Sequence, residues 1–304
     1  MKQFRRGLLS LLVFIGAVVI LILTSPQQLK AHADSSQPIH VVTSVDFYGS
    51  VAKAVLGQHG TVTSIINSPS VDPHDFEPTT KDGIAVSKAN FILYNGIDYD
   101  GWMKKLSKSN GNHNQTTVRV GEDVLGKKTG ANEHVWYQPK TMPKLANYLA
   151  KKFGHQAPQY RKQYAANAKK YIASLKPLQA QVAKLRAHSK GQHVDVSEPV
   201  FDYTLDALGY KRNNSKFELA VENGTDPSPK SIKTMQADIT HHRIAFFVNN
   251  SQASDKTVSA MVDLAKKHHV PVLNVTETLP KGQTYKSWMM KQYHALAKIQ
   301  SQTK

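Results

Sequence analysis

The sequence has 304 residues, enough for one large or two ordinary domains, and a hydrophobic content of 40% allows a packed core. Its 39 lysines and arginines outnumber 22 aspartates and glutamates, but they are spread along helix-like segments without an aromatic–basic motif, which argues against nucleic-acid binding. The net charge of +17 instead favours a location near an anionic cell envelope. The absence of cysteine excludes disulfides, thiolate metal sites and a lipid-modified cysteine.

The first residues have the pattern of an export signal. A positive start (MKQFRR) precedes an apolar run over residues 7–23, and an Ala-His-Ala cleavage pattern ends at residue 33. The run also approaches the roughly 18–20 residues that span a bilayer, so an uncleaved N-terminal anchor is the alternative to a cleaved signal peptide over residues 1–33. In both cases we expect the rest of the chain to be exported to the extracellular face of the cell membrane.

Short apolar strands alternate with helices through the first half of the exported chain. This alternation is typical of βαβ units with a parallel sheet, and ligand sites in such sheets lie at the carboxyl ends of the strands. We predict strands at 39–43, 61–66, 91–94 and 118–120, and helices at 47–56, 82–89 and 142–153.

The loop at residues 71–78 (VDPHDFEP) follows the second predicted strand and contains His74. Its two prolines restrict the backbone, so the imidazole can be held in one orientation at little cost in entropy. Neutral imidazole is the commonest metal ligand among protein side chains. A lone histidine on a turn is more often an incidental surface residue, so a metal-binding role for His74 depends on finding further ligands.

A second histidine, His134, lies in another proline-bounded turn (EHVWYQP). Farther along, a long charged stretch from Pro158 to about residue 187 has helical composition. Pro177 lies inside this stretch and should kink or divide the helix. A helix of this length could serve as a stiff connector between two domains.

The second half repeats the alternation of strands and helices, and its first strand leads to Glu198. Gly57 and Gly209 end corresponding helices, and Asn95 and Asn250 end corresponding strands, at offsets of 152 and 155 residues. We therefore predict an α/β fold of two similar lobes with mainly parallel sheets, joined by a long connector helix. In the second half we predict strands at 193–198, 217–221, 244–248 and 270–275, and helices at 202–208, 229–239, 257–268 and 287–300. The predicted N-terminal lobe is 38–155, the connector helix 156–189 and the C-terminal lobe 190–304.

Four residues near predicted strand ends or on turns could converge between two such lobes, namely His74, His134, Glu198 and Glu277. Two imidazoles with two carboxylates would neutralise a divalent cation, and nitrogen and oxygen ligands without sulfur suit Zn²⁺, Mn²⁺ or Fe²⁺. From the residues alone, each candidate also has a structural interpretation. His134 could pack beside Trp136, Glu198 could cap the following helix, and Glu277 could be a surface acid.

Five segments carry a resemblance to a known family: TSVDFYGSVAKAVLG, VDPHDFEPTTKD, ANFILYNGIDYDGWMKKL, EHVWYQPKTMPKLA and VPVLNVTET. They resemble the solute-binding proteins of manganese/zinc ABC importers, the cluster A-I family. The D-P-H-x-[FY]-E-P-T element is highly specific, the later matches are looser, and together they cover nearly all of the exported chain.

This resemblance implies that His74, His134, Glu198 and Glu277 are the metal ligands. It further implies a monomeric, non-enzymatic protein that captures one Zn²⁺ or Mn²⁺ ion between its lobes and delivers it to an ABC permease and its ATPase in the membrane. The chain departs from the family in three ways. The turn EHVWYQP lacks the proline that often precedes the second histidine, glutamate replaces the usual aspartate at position 277, and there is no lipobox cysteine.

Two carboxylates favour Mn²⁺, whereas the Irving–Williams order predicts tighter binding of Zn²⁺ in vitro, so the sequence does not separate the two metals. Because the ligands must be deprotonated, binding should weaken below about pH 6. The alternative functions are an exported metal-dependent hydrolase, for which neither an H-E-x-x-H nor a G-x-S-x-G motif occurs, and a surface adhesin with a structural metal.

Overall fold

The computed structural model describes residues 38–109, 112, 114–252 and 255–302. The predicted export signal, residues 1–33, lies outside the described residues. In the described ranges, no helix combines the length and the apolar character needed to cross a bilayer.

The first half forms a four-stranded parallel sheet in the order β2-β1-β3-β4. Its central strand β1 is buried at six of seven positions, as expected for a parallel sheet covered on both faces. Val41 in β1 is in register with Val62 in β2 and Phe91 in β3. The elements are β1 (Ile39–Val45), α1 (Asp46–Leu56), β2 (Gly60–Ile66), α2 (Thr80–Lys88), β3 (Phe91–Tyr94), α3 (Gly101–Ser109), β4 (Thr116–Arg119) and α4 (Thr141–Gln156).

The predicted connector is two helices, α5 (Arg161–Ser174) and α6 (Lys176–Ser189), which meet at Leu175. Pro177 lies in the first turn of α6, where its missing N–H costs no intrahelical hydrogen bond. The prediction that this proline divides the helical stretch is confirmed.

The second half forms another four-stranded parallel sheet, in the order β6-β5-β7-β8. This order matches the first sheet strand for strand, so the predicted α/β fold of two similar, mainly parallel sheets is confirmed. The elements are β5 (His193–Val196), α7 (Asp202–Leu208), β6 (Lys211–Arg212), α8 (Ser215–Glu222), α9 (Pro229–Thr240), β7 (Phe247–Asn250), α10 (Lys256–Lys267), β8 (Val272–Val275) and α11 (Tyr285–Gln302).

One predicted element is wrong. Residues 217–221 (FELAV) are mostly apolar, which predicts a strand, but they lie in helix α8. The apolar residues do not share one environment, because Phe217 and its neighbour Glu218 are buried whereas Leu219 is half exposed. The edge of the second sheet is instead the two-residue strand β6, which pairs with β5 at His193 and Val194.

The largest hydrophobic core runs continuously through both halves. Phe47 of α1 contacts Trp136 and Trp288, with ring centroids 5.1 and 5.8 Å apart, and Trp288 belongs to the C-terminal helix α11. A smaller core lies under α8, α9 and α10. Residues 37–304 cluster as one compact unit, and the predicted lobe boundaries stay a prediction.

Candidate metal site

The loop that carries His74 connects β2 to α2 and is fixed at several points. Asp72 Oδ1 accepts a hydrogen bond from the His74 backbone N–H at 2.8 Å, and Trp102 Nε1–H donates to the Pro73 carbonyl at 3.0 Å. A reciprocal capping box begins α2 and ends the loop. The His74 side chain is about one-third exposed and lies edge-on to Tyr99, with ring centroids 4.8 Å apart.

His134 lies just before a short helical turn, Val135–Tyr137, and is completely buried. Asn132 Oδ1 accepts a hydrogen bond from the His134 N–H at 2.8 Å and lies 3.0 Å from Nδ1. Since Asn132 Oδ1 can only accept, this contact assigns the ring proton to Nδ1 and leaves Nε2 as a metal-binding lone pair. Nε2 has no hydrogen-bond partner among the described residues. Burial, followed by the charge of His74, holds the pKa of His134 well below its usual value, so the ring is neutral.

Although the His134 turn belongs to the first half by sequence, the second half holds it in place. The Asn132 Nδ2 group donates to the Pro199 carbonyl at 2.7 Å. Three side chains of the second half donate to main-chain carbonyls of the turn: Tyr203 Oη to Asn132 (2.8 Å), Thr204 Oγ1 to Tyr137 (2.7 Å) and Tyr285 Oη to Trp136 (2.7 Å). These bonds make the turn part of the contact between the two halves.

Glu277 follows β8, and its Oε1 lies 3.7 Å from His74 Nε2. This oxygen has no hydrogen-bond partner among the described residues. Burial, followed by the negative charges of Asp72 and Glu198, raises the pKa of Glu277 to about 8. The carboxyl group is therefore protonated at neutral pH unless a cation replaces the proton.

Glu222 is the last residue of α8 and was not predicted as a ligand. Its Oε1 lies 3.6 Å from His74 Nε2 and 3.8 Å from His134 Nε2, so one oxygen faces both imidazoles. Burial, followed by the charges of Glu133 and Glu277, raises its pKa to about 10. Sequence analysis missed Glu222 because it assigned the preceding residues 217–221 to a strand. The sequence Glu-Asn-Gly after an apolar stretch is a signal for a helix C-terminus that could have revealed it.

Glu198 follows β5 and lines the same cavity, but the described residues show no ion pair between it and either imidazole. Its Oε2 instead accepts a hydrogen bond from Asn250 Nδ2 at 2.6 Å. Burial is the main cause of its raised pKa. Of the four predicted ligands, the structure thus brings His74 and His134 together with Glu222, places Glu277 beside His74, and places Glu198 on the cavity wall.

The cavity has a volume of about 430 Å³ and is lined by loops of both halves. Near its mouth, Gln252 Nε2 donates to the Pro69 carbonyl at 2.8 Å and to Thr278 Oγ1 at 2.7 Å, which links the His74 loop to the Glu277 loop.

The donor spacing suits one small divalent ion. The ligand atoms of His74, His134 and Glu222 all lie within 4.8 Å of one another. A tetrahedral ion with ligands at about 2.1 Å requires donors roughly 3.4 Å apart, close to the observed 3.6–3.8 Å. Two imidazole nitrogens and two or three carboxylates can bind Zn²⁺, Mn²⁺ or Fe²⁺. Without a cation, the clustered carboxylates repel one another, and this repulsion contributes to their raised pKa values.

Comparison with known proteins gives a consistent result. A family model described as "Zinc-uptake complex component A periplasmic" (ZnuA) matches residues 41–299. The manganese ABC transporter substrate-binding lipoprotein PsaA of Streptococcus pneumoniae serotype 4 is 24% identical over 298 residues, covering 92% of this chain and 94% of PsaA. The high-affinity zinc uptake system protein ZnuA of Bacillus subtilis is 25% identical over 271 residues, covering 83% of each.

The fold is also shared with a solved structure. The periplasmic zinc-binding protein TroA from Treponema pallidum superposes with a TM-score of 0.71 and 18% sequence identity, covering 87% of this chain and 99% of TroA. At this identity the similarity shows the fold alone.

Proposed function

Because the chain belongs to the ZnuA family of zinc-uptake components, we propose that it captures one divalent transition metal ion outside the cell membrane and delivers it to an ABC permease. The observation that carries the proposal is the convergence of His74 Nε2, His134 Nε2 and Glu222 Oε1 at 3.6–3.8 Å, with Glu277 Oε1 3.7 Å from the same His74 nitrogen.

Each proposed ligand has a distinct role. His134 supplies a buried nitrogen whose lowered pKa favours the neutral ring and whose tautomer is set by Asn132. His74 supplies the second nitrogen from a part-exposed loop, where an entering ion can reach it first. Glu222 and Glu277 supply the negative charge that balances a divalent ion. Glu198 either turns away from Asn250 to bind the ion or keeps its hydrogen bond to Asn250 and balances charge from the cavity wall.

The transported metal is Zn²⁺ or Mn²⁺. PsaA is named as a manganese protein and B. subtilis ZnuA as a zinc protein, so related chains differ in cargo. We propose that in vitro the site takes Zn²⁺ more tightly, since two nitrogen ligands and near-tetrahedral spacing suit it and the Irving–Williams order favours it. Availability outside the cell would then decide which ion is carried.

The named relatives are transporter proteins, and this favours transport over metal-dependent hydrolysis or an adhesin with a structural metal. We further propose that the protein acts as a monomer at the extracellular face of the cell membrane, with an ABC permease and its ATPase as partners.

The proposal is tested by calorimetry on the chelator-stripped protein. We expect one tight site per chain for Zn²⁺ and Mn²⁺, and loss of stoichiometric binding in His74→Ala. The exposed residue His241 at the end of α9 offers a matched control, and His241→Ala should bind metal as the native chain does. Retention of one tight metal ion per chain in His74→Ala would remove the proposed site.

A further inference from the structure

Beyond the predicted export signal, the excess of positive charge lies in two segments. Residues 134–194 contain twelve lysines and arginines and residues 278–304 contain five, and neither segment contains an aspartate or glutamate. These seventeen cations equal the net charge of +17, so the rest of the chain carries equal numbers of acidic and basic residues. The basic character of the protein is therefore local.

The two segments meet in the fold. They supply α4, α5, α6 and α11: α4 packs on α5, α5 is followed directly by α6 at Leu175, and α6 packs on α11. Gln300 of α11 donates from Nε2 to the Leu185 carbonyl of α6 at 2.9 Å. We call the exposed surface of these four helices the acid-free face. It spans both halves of the molecule.

The cations of the acid-free face point to solvent. All thirteen lysine and arginine side chains on the four helices are exposed, and within the described residues none of them forms an ion pair. They recur along the helices, as with Lys144 and Lys151 on α4 and Lys162 and Lys169 on α5, each pair seven residues apart and on the same side of its helix. Such a distribution fits an extended anionic surface and not a single small ligand.

From this distribution we propose that the acid-free face docks the protein onto an anionic lipid bilayer. Clusters of lysine and arginine are attracted to membranes that contain acidic lipids. Tyr160, 37% exposed at the turn between α4 and α5 and stacked on His59, provides an aromatic ring of the kind enriched at membrane interfaces.

Two further observations favour a bilayer as the partner. PsaA is named as a lipoprotein, whereas the 304 residues of this chain contain no cysteine to carry a thioether-linked lipid. Electrostatic docking would supply the membrane contact that such a lipid gives. In addition, no residue of the four helices lines the metal cavity, so a docked molecule keeps its cavity free for the ion.

The test compares two variants with the same change in net charge. The face variant carries Lys151→Glu, Lys162→Glu and Lys169→Glu, and the control variant carries Lys230→Glu, Lys233→Glu and Lys267→Glu on α9 and α10, where the lysines are equally exposed. The chain is used from Asp34 onward, because this form keeps every described helix and strand and omits the apolar run, which would itself enter lipid.

Binding is measured by co-sedimentation with phosphatidylglycerol-containing vesicles at 0.1 M salt, with pure phosphatidylcholine vesicles as the neutral arm. We expect the native chain to bind the anionic vesicles only, with affinity that falls as salt rises, and the face variant to bind at least tenfold more weakly. The control variant should lose less than about threefold. Thermal unfolding and metal stoichiometry, measured on both variants, verify that they fold.

Three outcomes overturn the inference: equal losses in both variants, which would show an effect of net charge alone; no binding of the native chain to anionic vesicles; and binding to a soluble polyphosphate without binding to vesicles. Each can occur while metal binding is intact, so failure here is distinguishable from failure of the proposed function.

Discussion

The two halves of the molecule have the same strand order but contribute different chemistry to the cavity. The first half presents two imidazoles, His74 and His134, and the second presents the carboxylates of Glu222 and Glu277. Burial prepares an imidazole for binding because it keeps the ring neutral, but it opposes the ionised carboxylate that a metal needs. The buried His134 is thus ready to bind before the ion arrives, whereas Glu222 and Glu277 bind when the ion displaces their protons.

Two asparagines at corresponding positions in the two halves donate hydrogen bonds to different kinds of group. Asn95 and Asn250 occupy equivalent strand ends. Asn95 Nδ2 donates to the Glu133 carbonyl at 3.0 Å, next to His134, whereas Asn250 Nδ2 donates to the Glu198 carboxylate at 2.6 Å. The same amide therefore holds a backbone segment in one half and a charged side chain in the other.

The largest expected effect comes from removing the buried imidazole. His134→Ala should abolish stoichiometric metal binding, because its nitrogen is pre-oriented by Asn132 and no described imidazole besides His74 belongs to the cluster. Calorimetry with Zn²⁺ provides the measurement, and His241→Ala again provides the control. A variant that still bound one ion with affinity within tenfold of the native chain would show that the imidazole half is dispensable.

The next effect distinguishes the carboxylates. Glu222→Gln should weaken metal binding by about 100-fold, because it removes a charged oxygen that faces both imidazoles, whereas Glu198→Gln should weaken binding by less than about tenfold. Competition against a chelator of known affinity measures both constants. If Glu198→Gln had the larger effect, Glu198 would be a ligand as predicted from the sequence, and Glu222 would lie near the ion without binding it.

A smaller effect concerns pH. With pKa values of about 10 and 8, Glu222 and Glu277 hold protons at neutral pH, and an incoming ion must release them. Affinity should therefore rise roughly tenfold or more per unit between pH 6 and pH 7.5. Because the pKa of His134 is lowered, protonation of this buried ring does not limit metal binding near pH 6. The pH dependence of metal affinity should therefore extend to higher pH than protonation of the histidines alone would predict.

Calorimetry in buffers of different ionisation enthalpy counts the released protons. We expect between one and two per ion at pH 7 for the native chain and about one fewer for Glu222→Gln. An affinity that stays constant from pH 6 to pH 7.5 would contradict the protonated state of the carboxylate half.

The smallest effect is on the stability of the metal-free protein. The folded pKa of Glu277 lies above its unfolded value, so unfolding releases a proton and stability falls as pH rises from about 4.5 to about 8. Glu277→Gln should remove this loss, so that the metal-free chain is more stable than the native chain at pH 8 and its Tm is several degrees higher. The difference in stability between the variant and the native chain should vanish near pH 4.5. An equal difference at pH 4.5 and pH 8 would show that it arises from packing and not from ionisation of Glu277.

The sequence predicts the imidazole half better than the carboxylate half, and the reason is physical. The loop of His74 and the turn of His134 are shaped by nearby prolines, so local sequence describes them well. Glu222 depends on whether residues 217–221 form a strand or a helix. There the apolar composition is misleading, because Phe217 is buried in one core cluster with residues of α9 and β7, whereas Leu219 is half exposed.

Convergence itself could not be predicted from local sequence. The positions of Glu198, Glu222 and Glu277 relative to the imidazoles depend on how the two halves pack through the aromatic core around Phe47 and Trp288. The hydrogen bond that turns Glu198 toward Asn250 joins residues 52 positions apart. The predicted fold, by contrast, follows from the repeated alternation of strands and helices, which is local within each half.

The bonds that tie the His134 turn to Tyr203, Thr204 and Tyr285 also set the order in which the cargo can leave. These bonds hold the ring of His134 beside the carboxylates of the second half, and moving the halves apart as rigid bodies would require all of them to break. The His74 side chain is part-exposed, and its loop is joined to the second half by Gln252. We therefore expect release of a bound ion to begin with movement of this loop, while the other proposed ligands stay in place.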